Sequence, residues 1–112
     1  MHKLLAKAAQ AANRFHDIHR IAFMGAVAER HDGVIVVSRN GSAKDKSPPS
    51  HAEIRVLRKS GYGATVYVAR VLRNGERALA KPCSNCMSAL KAKGVEEVYF
   101  TTGKNDWEKL KL

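Results

Sequence analysis

Four runs of apolar, β-prone residues punctuate the chain: RIAFMGAVAE at 20–29, GVIVVS at 33–38, ATVYVARVL at 64–72 and EVYFTT at 97–102. A strand with one wet face alternates apolar and polar residues, whereas runs this continuous belong to strands covered on both faces. The segments between them have helical spacing. Residues 3–16 put Leu4, Leu5, Ala8, Ala12 and Phe15 on one stripe, with Lys3, Lys7 and Arg14 opposite. A second helix is predicted from about His51 to Lys59, with Ile54 and Leu57 facing inward and Gly61 just past its end. A third is predicted from about Cys83 to Lys93, with Pro82 suited to its first turn and Gly94 placed as a C-terminal cap. Helix, hairpin, helix, strand, helix, strand is the resulting order. It predicts an α/β chain, three layers deep (α/β/α), around a central mixed sheet.

The connections follow from turn chemistry. His31-Asp32-Gly33 predicts a hairpin turn and Asn74-Gly75 a turn after the third strand, while SRNGSAKDKSPPS at 38–50 reads as a loop. RALAKP reads as a short connection, and the tail KNDWEKLKL as one or two further helical turns. At 112 residues the chain is expected to form a single domain, 1–112. No apolar run approaches the roughly 18–20 residues that cross a bilayer, so no membrane role is expected. The first fifteen residues resemble a targeting peptide only in being basic, without its apolar stretch or cleavage site. A cytoplasmic location is the expectation. Twenty Lys and Arg against ten Asp and Glu give a formal charge of +10, which favours phosphate-bearing or polyanionic partners, nucleic acid included.

The chemistry-bearing residues are few. The two cysteines, Cys83 and Cys86, form a C-x-x-C at a predicted helix start, where both sulfurs project to one side of the first turn. The positive end of that helix favours the thiolate form. His51 and Glu53 occupy the first turn of the other helix, where neither is expected to be buried. Should the two helix starts converge, His51 and the two cysteines would supply the three protein ligands of a catalytic zinc site, with Glu53 near its open position. Each half has another reading. Ser50-His51-Ala52-Glu53 is also a capping box. C-x-x-C is also a redox pair, or half of a structural zinc site completed by His2, His16, His19 or His31.

Jointly, H-x-E and P-C-x-x-C form the signature of the zinc deaminases. HAEIRVLRKSG at 51–61 and KPCSNCMSALKAKGVEEVYFTT at 81–102 resemble the cytidine and deoxycytidylate deaminase superfamily, and the similarity extends over most of residues 20–102. The resemblance implies zinc ligation by His51, Cys83 and Cys86 and a proton-shuttle role for Glu53. It places Ala52 where the family's backbone amide meets the base, and Asn40 where related members bind the sugar. Lys81 stands where many members have Glu, and the approach to the cysteines is longer than in tRNA-editing members. The implied reaction is hydrolytic deamination of a cytosine nucleotide or nucleoside, with a homo-oligomer as the usual assembly. Lys44 and Lys46, in the loop before His51, are candidate phosphate contacts. A free nucleotide or nucleoside, deoxycytidylate first, is favoured over a polynucleotide because aromatic residues are only 6 % and most fall in predicted strands, leaving Trp107 and Tyr62 as exposed stacking platforms. Single-stranded nucleic acid is the alternative substrate, and a non-catalytic zinc module with four protein ligands the alternative role.

Overall fold

The computed structural model describes residues 2–12, 22–40, 51–103 and 105–112. Its elements run α1 (Lys3–Ala12), β1 (Ala22–Glu29), β2 (Ile35–Arg39), α2 (Ala52–Ser60), β3 (Thr65–Leu72), β4 (Arg77–Ala78), α3 (Ser84–Ala92), β5 (Glu97–Thr101) and β6 (Trp107–Lys111). The sheet order is β2-β1-β3-β5-β6, with β4 pairing β3 near its end. β3 and β5 are parallel and every other pair is antiparallel, so the sheet is mixed.

Alternation along β1 and β3 builds two cores. Ala26, Ala28, Val66 and Val68 face α2 and α3, packing with Val56, Leu57, Leu90, Val98 and Phe100. Phe23, Val27, Tyr67, Ala69 and Val71 face α1, where Leu5, Ala8, Ala9 and Ala12 meet them. The predicted three-layer α/β/α arrangement is the one observed. α1 lies so close to β1 that a Cβ on Gly25 would collide with the backbone carbonyl of Ala8. Only a residue without a side chain permits that approach.

The turns form as their residues require. Gly33 has φ 88°, its N–H donates to the Arg30 carbonyl, and Asp32 Oδ1 accepts the Val34 N–H. α3 ends in a Schellman arrangement: Gly94 N–H donates to the Lys91 carbonyl, Val95 N–H to that of Leu90, and Gly94 has φ 72°.

Three details depart from expectation. The C-terminal residues form strand β6, not helical turns. A helix this short nucleates poorly, whereas the open edge of β5 offers a full row of hydrogen-bonding partners. β6 takes them in register from Glu97↔Lys111 to Thr101↔Trp107. Leu110 then packs against the core beneath α2 and α3, and Trp107 turns to the other face beside Tyr99 and His2. RALAKP contains the two-residue strand β4. Pro82 precedes the Cys83 cap of α3 and so lies outside its first turn. The predicted first helix is seen to Ala12; Arg14 and Phe15 lie outside the described residues, as do 41–50 of the predicted loop. Among the described residues, no helix is long and apolar enough to cross a membrane.

Candidate metal centre and active site

α2 and α3 pack on the same face of the sheet, and their N-termini converge. His51 caps α2 and Cys83 caps α3, each with extended backbone, so both side chains leave at a helix mouth. Cys86 follows one turn into α3. His51 Nδ1 lies 3.3 Å from Cys86 Sγ and 3.9 Å from Cys83 Sγ, and the three ligand atoms fall within 4.8 Å of one another. Zn–N and Zn–S bonds at tetrahedral angles separate neighbouring ligand atoms by about 3.5–3.8 Å. The residues present therefore fit a zinc ion. Among the described residues this is the one group of three or more metal-ligating side chains so arranged. His2 lies elsewhere, against Tyr67, Tyr99 and Trp107, and His31 is exposed in the β1–β2 turn. His16 and His19 lie outside the described residues.

Glu53 is buried, 3 % exposed, which corrects the expectation that it would escape burial. The reason is tertiary: the first turn of α2 packs against α3, so a position that would be wet on an isolated helix is shielded. Burial raises the Glu53 pKa, opposed by its own backbone N–H, a hydrogen bond with the Cys86 thiol and the nearby His51. Burial likewise pushes the Cys86 thiol up, and the charge of Glu53 adds to the effect. A dication held by His51, Cys83 and Cys86 would oppose both shifts, because its charge favours thiolate and carboxylate alike. The capping-box reading does not match the helix start. The cap is His51, which puts Glu53 at the second helical position instead of the third that a capping box uses.

Ala52 is the first residue of α2 and fully buried, with its N–H in the turn that has no intrahelical acceptor. Asn40 follows β2 and is 5 % exposed. Its Oδ1 accepts the Met24 N–H at 3.2 Å while its backbone N–H donates to the Met24 carbonyl at 3.0 Å, fixing the side chain beside the start of β1. Lys44 and Lys46 lie outside the described residues. Trp107 and Tyr62 are exposed as expected, and Phe23, Tyr67 and Phe100 are buried.

Sequence reasoning missed Thr101. Its buried hydroxyl donates to the Ala78 carbonyl at 2.7 Å and accepts the Arg70 N–H at 3.2 Å. Its own carbonyl accepts the Ala80 N–H. Thr101 thus ties the segment leading to the cysteines onto β3 and β5. A threonine ending a predicted strand carries no mark of that work.

Cytidine deaminases of known structure share this fold. A glutamate-to-glutamine variant of the Mycobacterium tuberculosis enzyme superposes with TM-score 0.59 at 22 % identity, over 90 % of this chain and 86 % of that one. The Mycobacterium leprae enzyme gives TM-score 0.59 at 18 % identity, over 95 % and 89 %. No curated protein matches the sequence. Residues 1–102 match the family described as the cytidine and deoxycytidylate deaminase zinc-binding region. With nearly the whole chain matched and a zinc-competent ligand set at its centre, the protein belongs to the cytidine and deoxycytidylate deaminase family of zinc-dependent hydrolases.

Proposed function

We propose that the protein deaminates a cytosine nucleotide or nucleoside to the uracil form, with release of ammonia. The observation that carries this reading is the buried Glu53 carboxyl in the first turn of α2, two residues from His51 of the His51–Cys83–Cys86 cluster. His51, Cys83 and Cys86 would hold a zinc ion, which when bound would supply Lewis acidity that favours ionisation of water at neutral pH. Glu53 accepts a proton from the attacking water and delivers it to N3 of the ring. It then carries the second proton to the 4-amino group as the water oxygen replaces that nitrogen at C4. One carboxylate acts as base and then as acid, and its place in the first turn of α2, two residues from His51, suits both proton transfers. The Ala52 N–H and the Asn40 side-chain amide are the donors assigned to the base and the sugar.

The small-molecule reading is favoured over a polynucleotide by the placement of the aromatic residues. Tyr67, Tyr99 and Trp107 gather with His2 on the α1 side of the sheet, whereas α2 and α3 carry the cluster on the other. A stacking groove for single strands needs such rings along the path to the active site. The test is direct. Zinc-loaded protein is incubated with cytidine, deoxycytidine, their monophosphates, cytosine, guanine and a single-stranded oligonucleotide, and products are read by mass spectrometry. Conversion of a free cytosine nucleoside or nucleotide is expected. Conversion of the oligonucleotide alone, or of nothing, rejects the proposal.

A further inference from the structure

Among the described residues β2 closes one side of the sheet, paired to β1 alone, so its outward carbonyls have no strand partner there. Along that edge runs a cleft of about 270 Å³ lined, among the described residues, by Ala11, Val37, Ser38, Arg39, Arg55 and Lys59, three cations and no carboxylate. Arg55 Nη1 donates to the Arg39 carbonyl at 3.0 Å, and Lys59 Nζ donates to the Val37 carbonyl at 2.8 Å. Those carbonyls are two residues apart on one strand, hence roughly 7 Å apart. They hold a guanidinium and an ammonium at about that spacing, each with further N–H donors. Two cations so spaced can each bond a different oxygen of one phosphate. Among the described residues the ion pairs are Arg30–Asp32 and Lys109–Glu97, so none of those residues sets a carboxylate against a cation of the cleft.

Shielding an edge strand accounts for one long side chain over each carbonyl. It does not account for Arg39, whose exposed side chain lines the same cleft. The position also matters. Arg55 is one helical turn from His51, its N–H bonded to the His51 carbonyl at 3.0 Å, and Arg39 immediately precedes Asn40. A turn advances about 5.4 Å, a distance within the span of a single nucleotide.

We infer that Arg39, Arg55 and Lys59 form a phosphate subsite, and that the substrate is a cytosine nucleoside monophosphate whose terminal phosphate sits at the β2 edge. The inference rests on the deaminase reading above and narrows its substrate class. It is tested with zinc-loaded protein by comparing kcat/KM for deoxycytidine monophosphate and for deoxycytidine. The monophosphate is expected to be preferred by about tenfold or more, the scale of a charge-assisted contact. Arg39→Gln, Arg55→Gln and Lys59→Gln each reduce that ratio by roughly threefold to tenfold. Arg58→Gln, which removes a charge of α2 outside the cleft, changes it by less than about twofold. Arg39→Gln breaks no backbone contact of the cleft, so it reads the subsite even where the α2 variants fold poorly. A ratio near one in the unaltered protein, or cleft variants that behave like Arg58→Gln, overturns the inference. So does an oligonucleotide without a terminal phosphate that outcompetes the monophosphate, because the cleft would then serve a phosphodiester. If no compound is deaminated, the deaminase reading has failed. Calorimetric titration of deoxyuridine monophosphate against deoxyuridine then decides the subsite by itself: tighter binding of the phosphate form, lost in Arg39→Gln, sustains it, and equal binding overturns it.

Discussion

Glu53 holds a carboxyl group in a nearly dry place, against a cysteine that is itself buried. A group kept there at the cost of desolvation needs a use, and proton transfer beside the metal ligands is the use its contacts support. Glu53→Ala is expected to retain about one zinc per chain, since His51, Cys83 and Cys86 are untouched, while ammonia release falls by roughly a hundredfold or more. Metal analysis and an ammonia assay on the same sample separate the two effects. Activity within about tenfold of the unaltered protein rejects the proton-shuttle role. At this scale the sequence was largely legible: H-x-E and P-C-x-x-C taken jointly, with the family resemblance they carry, pointed to every member of the cluster. Burial of Glu53 was not legible, because it depends on α3 packing beside a helix start whose own sequence reads as an exposed cap.

At the scale of elements, the α1–β1 contact is the tightest constraint on the layer that does not carry the site. Gly25 lets the Ala8 carbonyl approach the strand more closely than any side chain permits. Gly25→Ala is expected to destabilise the fold by about 1–3 kcal/mol, because the obstructing atom is backbone and cannot rotate away. Urea denaturation measures this, and a change below about 0.5 kcal/mol would refute the close approach. The helices and four principal strands were readable from periodicity and turn residues. β6 was not. WEKLKL has no strong preference, and the deciding factor was an unpaired edge of β5 some ten residues away. β4 is two residues long and exists because β3 extends past the end of β5.

Across the whole molecule, the sheet separates two cores, and the cluster ties the helices of one layer together. His51 belongs to the start of α2, and Cys83 and Cys86 to the start of α3. An ion held by all three stabilises the folded chain by mass action, about 2.7 kcal/mol when free zinc is a hundredfold above its Kd. For a chain of this size that corresponds to roughly 10 °C in Tm. Chelation is therefore expected to lower Tm by about that amount, and restored zinc to recover it. A Tm indifferent to chelator would show that the three side chains do not bind the metal in the folded protein.

The sequence by itself determined the order of the helices and four principal strands, the three-layer class and, through a family resemblance, the candidate metal-ligating residues, because periodicity, turn chemistry and short motifs are local properties. Only the tertiary structure decided how those pieces meet: that two helix starts share one corner, that Glu53 is dry, that the tail is a strand, and that Arg39, Arg55 and Lys59 line one cleft. The physical reason is the same in each case. Desolvation, edge pairing and the clustering of like charges depend on which distant segments become neighbours, and no local window of residues contains that information.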